Sequence, residues 1–219
     1  MPREYAMSVK YLPMRVAGRL KAPFQEARRG DRMARFMEQM ELKGGERVLD
    51  MGGLAAFWND CPVPLDLTIV NLPGSGLRGE VDPRHTVTYV EGNACEMPFV
   101  EDMSFDIAFS NSVIEHVGPP ENQRRFAAEA QRVAPRHWIQ TPSIWFPVEA
   151  HNHMPFWWFY PPVVKRFFLC RWRAKLPAWA EMIDGTTVIL RRDLQAMFPD
   201  STLWSERFLG FTKSYVAYR

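Results

Sequence analysis

Two periods divide the hydrophobic positions of the chain. Short apolar runs closed by small or polar residues recur at Arg47-Val-Leu-Asp-Met-Gly-Gly53, Leu67–Asn71, Thr86–Glu91, Phe105–Ser110 and His137–Thr141. Runs of that length with glycine, asparagine or serine at their ends predict buried strands. Between them the period changes to that of a helix. Met33, Phe36, Met37 and Met40 lie three or four residues apart, after Asp31 as a candidate N-cap and before Gly44-Gly45 as a stop. Methionines at this spacing predict packing against a sheet. A second helix is predicted from Pro119-Pro120 through Phe126, Ala127, Ala130 and Val133 to Ala134-Pro135, and another from Arg191 to Phe198. After Ser201–Phe208 and a turn at Gly210, Thr212 to Tyr218 alternates as a final strand. Pro62 and Pro64 leave room for only a short helix after the first strand, and Pro73-Gly-Ser-Gly76 reads as a turn-rich loop.

The strand ends carry the chemistry. Asp50 precedes Gly52-Gly53, Asn71 closes the second strand, Gly92-Asn93-Ala94 follows the third, and Ser110, Asn111 and Ser112 follow the fourth. In open α/β sheets ligands bind at this edge. Gly92-Asn-Ala-Cys-Glu-Met-Pro-Phe99, Ser104-Phe-Asp106 and Ile114-Glu-His-Val117 complete the pattern. In order and spacing, residues 47–117 resemble the class I S-adenosylmethionine-dependent methyltransferases of small-molecule type. The resemblance implies one domain over 1–219, with a Rossmann-like seven-stranded, mostly parallel sheet. It implies an antiparallel C-terminal hairpin and helices on both faces. It also implies S-adenosyl-L-methionine as cofactor, bound by Asp50, Met51, Gly52, Gly53, Asn71, Leu72, Asn93, Ala94, Ser110 and Asn111. Leu54 and Ala56 stand where the family pattern has glycine, and Asn71 and Asn93 stand where an acid is commoner. An amide accepts a ribose diol through one oxygen, where a carboxylate offers two.

Beyond the fifth strand, Ser143 to Tyr160 has neither period but holds Trp145, Phe146, His151, His153, Phe156, Trp157, Trp158, Phe159 and Tyr160. In related enzymes this region often builds the acceptor pocket. An insertion over 143–185 is therefore expected to bind substrate through Trp145, His151 and His153, the two histidines sharing one face of an extended segment. Val163 to Lys175 mixes aromatic with basic residues and reads as a helix packed through its aromatic face, with peripheral membrane contact as the other reading. His116, just past the fourth strand, is the candidate general base. Glu115 is expected to orient its loop. Glu149-Ala-His-Asn-His153 lacks a third-ligand pattern, so no metal is expected. Residues 1–30 are expected either to cap the cofactor edge or to form a partly ordered tail.

Composition narrows the class. Hydrophobic residues make up 47% and charged residues 24% of 219, as in ordinary globular domains. A net charge of +2 and the absence of an Asn/Asp-Pro-Pro-aromatic phrase after Asn111 argue against a nucleic-acid substrate. Gly74-Ser-Gly76 lies too far from the first strand for a dinucleotide fingerprint. Three scattered cysteines, an N-terminus without an apolar run and no apolar stretch of transmembrane length lead us to expect a cytoplasmic protein. The expected function is methyl transfer to oxygen or nitrogen of a small-molecule or saccharide-like acceptor. The competing expectation is a non-catalytic protein of the same fold that binds a partner through its aromatic insertion.

Overall fold

The computed structural model describes residues 30–219, so the cap expected over 1–30 lies outside the described residues except at Gly30. Seven strands form one sheet: β1 (Arg47–Met51), β2 (Asp66–Asn71), β3 (Thr86–Glu91), β4 (Ile107–Asn111), β5 (Arg136–Pro142), β6 (Thr202–Phe208) and β7 (Phe211–Tyr218). Their order is β3-β2-β1-β4-β5-β7-β6. The first five are parallel, and β7 runs antiparallel to both β5 and β6. The order reverses between β1 and β4, which opens a crevice at their carboxyl ends.

Alternation along each strand sends side chains to two cores. Leu49 and Met51 of β1, Ala108 of β4 and Ile139 of β5 face one core. There they meet Phe126, Ala127, Ala130 and Val133 of α2 (Pro120–Val133) and Leu194 of α5 (Arg191–Met197). Val48, Ile107, Phe109 and Trp138 face the other. That core is covered by α1, which runs through residues 30–39, and by a 3-10 turn at Ala55–Asp60. Met33 and Phe36 of α1 and Met40 just after it are buried there, and the Phe36 ring meets those of Trp58, Phe109 and Trp138 edge-on at 5.0–5.9 Å. The predicted helical face is thus the packed face.

Among the described residues no helix joins β2 to β3 or β3 to β4. Pro62 and Pro64 keep the connection from β1 to β2 to the 3-10 turn, and the turn-rich Pro73–Gly76 opens the one from β2 to β3. The insertion holds α3 (Pro162–Arg173) and a second helix that the sequence pattern does not predict, α4 (Pro177–Gly185). In α3 Leu169 is buried, and Trp172 packs on Trp157 at 5.4 Å and Trp179 at 5.0 Å. That is the packing reading of this segment, although Val163 and Phe167 remain exposed. No helix among the described residues is long and apolar enough to cross a membrane.

Candidate active site

At the β1 end the carboxylate lies beneath the turn. Asp50 is fully buried and its Oδ2 accepts from Trp58 Nε1 at 2.8 Å. Burial pushes its carboxyl up to about 7 against the lowering effect of that hydrogen bond. A Cβ at Gly53 would lie 1.7 Å from Asp50 Oδ2, so only glycine lets the chain pass over the carboxylate. Gly52 has φ +89°, and a Cβ there would meet Val113 at 2.6 Å. Asp50 and Met51, both expected to touch cofactor, are therefore supports under the turn.

S-adenosylmethionine needs an acceptor for its ribose diol and a surface for its adenine, and the residues at the β2 end fit both needs. Asn71 Nδ2 donates to the Gly53 carbonyl at 3.0 Å, which fixes the amide beside the turn. Among the described residues nothing donates to Asn71 Oδ1, an oxygen suited to a ribose hydroxyl. Leu54 and Leu72 are 58% and 61% exposed on either side of it. Leu54 thus points outward and does not fill the turn. At the β3 end, Asn93 Oδ1 accepts from the Cys95 N–H at 3.0 Å in a side-chain turn, leaving the NH₂ group and one lone pair; Ala94 is half-buried behind it.

The β4 and β5 ends are built differently. Ser110 is buried and donates to the Met51 carbonyl, so it ties β4 to β1 and does not reach the surface. Asn111 Oδ1 accepts from Arg32 Nη1 of α1 at 2.6 Å, and Arg32 Nη2 pairs with Glu206 at 2.8 Å. Burial alone would raise the Glu206 carboxyl, but Arg32, Ser214 and Lys213 outweigh it and hold the group below its usual range. Ser112, at φ +59°, donates to Gln140 Oε1 at 2.8 Å.

Beyond Ser112 a short 3-10 turn, Ile114–His116, carries Glu115 into the interior. Its Oε2 accepts from Thr141 Oγ1 at 3.0 Å and its backbone carbonyl from Thr187, so this loop is tied to β5 and to the segment after α4. Its Oε1 is buried without a hydrogen-bond partner. Burial pushes this carboxyl up to about 7. His116 Nε2 lies 2.9 Å from His151 Nε2, and its Nδ1 lies 3.1 Å from Thr186 Oγ1. Burial and the neighbouring His151 push His116 down to about 4. Both its nitrogens face neighbouring side chains, His151 and Thr186, and neither faces an acceptor directly.

His151 Nδ1 binds Glu149 Oε1 at 2.8 Å, and Glu149 Oε2 accepts the N–H groups of His151 and Asn152. Residues 149–153 therefore form a turn closed on Glu149, where the sequence suggested an extended segment. His153 ends it at φ +57°. Although burial opposes the charge, the bond to Glu149 and the charges of Glu149 and Glu115 raise His151 above the usual histidine range.

A cavity of about 500 Å³ opens here. Phe146, Val148, Trp158, Val188 and Phe208 form its apolar wall, and Arg32, Ser112, Glu115, Gln140, His151 and Thr187 are among its polar groups. His151 and His153 both line it. Trp145 does not: it is 59% exposed and borders a separate shallow cleft with Phe156, Phe159 and Phe211. Sequence reasoning missed Arg32, Gln140, Thr186 and Thr187 as wall residues. Arg32 carries a weak signal, a basic residue next to the core residue Met33 in α1, whereas Thr186-Thr187 sits in a segment with no period.

Known proteins resemble this chain in sequence pattern and in fold. A family model described as a methyltransferase domain matches residues 66–136. No curated protein sequence matches. Among solved structures, the N-terminal domain of EvdMO1, determined with SAH and D-fucose, aligns with TM-score 0.54 at 16% identity, covering 87% of this chain and 81% of that one. A possible exported protein from Bordetella parapertussis aligns with TM-score 0.55 at 10% identity, covering 88% of this chain and 67% of that one. The Haemonchus contortus phosphoethanolamine N-methyltransferase 2, with phosphomonomethylethanolamine and S-adenosylhomocysteine, aligns with TM-score 0.51 at 17% identity, covering 78% of this chain and 37% of that one. Identities this low establish a shared fold.

Proposed function

We propose that the chain is an S-adenosylmethionine-dependent methyltransferase acting on an oxygen or nitrogen of a small-molecule, saccharide-like acceptor, a reading supported by the sheet order and by the methyltransferase domain model that matches residues 66–136. The observation that carries the proposal is the cavity of about 500 Å³ lined by Ser112 after β4 and by Gln140 and Pro142 of β5. Its volume suits a small organic molecule, and its aromatic wall with a few polar groups suits a ring bearing hydroxyl or amino substituents. The D-fucose in the EvdMO1 structure is consistent with a saccharide in a related fold.

S-adenosylmethionine supplies an electrophilic methyl group on its sulfonium. The remaining work falls to the chain, which aligns the acceptor and keeps water out. In this reading Gly52 and Gly53 let the backbone approach the cofactor, Asn71 Oδ1 holds the ribose, and Leu72 and Asn93 flank the adenine. Gln140, Thr187 and His153 orient the acceptor from the cavity wall.

The test has two arms. Calorimetry with S-adenosylhomocysteine should show saturable binding by the isolated protein. Incubation with methyl-labelled S-adenosylmethionine and a panel of deoxysugars and hydroxylated or aminated aromatics should yield a singly methylated product. Failure of the protein to bind either cofactor form at about 1 mM would sink the catalytic reading.

A further inference from the structure

We propose that Glu115, His116 and His151 form a site for a first-row divalent transition-metal ion, with Zn²⁺ as the simplest occupant, opening onto the acceptor cavity. The site goes beyond the methyl-transfer reading and does not depend on it. Glu115, His116 and His151 each offer a ligand atom, all within 4.8 Å of one another, and His116 Nε2 lies 2.9 Å from His151 Nε2 and 4.0 Å from Glu115 Oε1. They come from two chain segments 35 residues apart, which is why the histidine pair at 151 and 153 shows no third ligand in sequence.

Hydrogen-bond accounting shows what the site lacks. Thr186 Oγ1 donates its only hydrogen to the Met182 carbonyl at 2.7 Å. With that hydrogen on the shorter contact, the 3.1 Å contact with His116 is assigned as an N–H donated by Nδ1, which leaves Nε2 of a neutral ring as a lone pair. His151 Nδ1 likewise donates to Glu149 Oε1 at 2.8 Å, so its Nε2 is also a lone pair in the neutral ring. Two lone pairs facing each other at 2.9 Å repel unless a cation lies between them. A shared proton would satisfy the two nitrogens but does nothing for Glu115 Oε1, which is buried and unpartnered 4.0 Å from His116 Nε2. A metal ion engages all three.

The donor set agrees. Two imidazoles and one carboxylate suit zinc and its neighbours, and a three-residue set leaves a coordination position open. Each histidine is oriented through its other nitrogen, one by a carboxylate and one by a hydroxyl, as metal-bound histidines are. Metal–nitrogen bonds of about 2.0–2.1 Å would spread the two nitrogens by a few tenths of an ångström, and the half-buried turn at His151 can supply that movement. Glu115, His151 and Thr186 line the cavity, so the open position faces the acceptor. An acceptor hydroxyl bound there would lose its proton more readily than in water.

The experiment is a titration of chelator-stripped protein with Co²⁺, read by its visible absorption, followed by competition with Zn²⁺. One equivalent should bind. His151→Ala and Glu115→Gln should each weaken binding at least tenfold, and Glu149→Gln by about tenfold or more. Far-UV circular dichroism checks that each variant folds, and His151→Ala lies on a loop where folding should survive. Absence of binding at about 1 mM by the wild-type protein overturns the proposal and leaves a shared proton between the histidines. Unchanged binding in both His116→Ala and His151→Ala also overturns it, since the ion is then held elsewhere. Calorimetry with S-adenosylhomocysteine on the same samples reports the cofactor reading separately.

Discussion

The two halves of the crevice use their polar groups in opposite ways. At the β1 to β3 ends, Asp50, Asn71 and Asn93 each bond to something nearby: an indole eight residues on, the carbonyl of the glycine turn, an N–H two residues on. These bonds shape loops, and the surface left open is largely backbone and exposed leucine. At the β4 and β5 ends, Arg32, Glu115, His116 and His151 bond across separations of 26 to 174 residues. They are half-buried or buried and wall a cavity. In the proposed reading the first half is a shaped edge for the cofactor, and the second gathers groups from remote segments around the acceptor.

Substitutions can break this contrast, and the greatest loss is expected on the cavity side. Arg32→Ala takes from the buried Glu206 carboxylate its shortest ion pair and leaves it Ser214 and Lys213, and should cost about 2–3 kcal/mol of stability by denaturant unfolding. A loss near zero would mean that the pair is not buried in solution.

On the cofactor side the main effect is electrostatic. The Asp50 carboxyl is raised from 3.8 to about 7, so its contribution to stability is fully present below about pH 4 and is lost as pH rises through about 7. Asp50→Asn should remove on the order of 2 kcal/mol of that decline between pH 5 and pH 8. Identical pH profiles for the two proteins would contradict the burial. Asn71→Ala should weaken S-adenosylhomocysteine binding by about 1 kcal/mol while leaving turnover of saturated enzyme nearly intact. Trp145→Ala separates cavity from cleft and should change stability and turnover least, within about 0.5 kcal/mol, because the ring is exposed and outside the cavity. A tenfold loss of turnover would place the acceptor over the shallow cleft.

The same contrast explains what could be read from sequence. Strands β1 to β5, helices α1, α2 and α5, and the closing hairpin were legible because period and punctuation are local signals. So were Gly52, Asn71 and Asn93, whose places follow from the strand ends. The sequence suggested cofactor contacts for Asp50 and Ser110, but both turn inward, because alternation in a strand buried on both faces does not say which strand end remains open. Helix α4 escaped because Pro177-Ala-Trp-Ala-Glu-Met-Ile-Asp is too short to show a period. The meeting of His116, His151 and Thr186 was beyond reach, since it depends on how an insertion folds back over β4. His151 and His153 were found through their residue types, and the turn that presents them, closed on the Glu149 carboxylate, follows only from structure.

The central claim is that cofactor and acceptor occupy the two halves of the crevice separately. A crystal structure of the protein with S-adenosylhomocysteine tests it most directly. The account predicts the adenosine along the β2 end, with Asn71 Oδ1 within about 3 Å of a ribose hydroxyl and the cavity beside His151 and Thr187 left clear. Density for the cofactor inside that cavity, with Asn71 untouched, would contradict it.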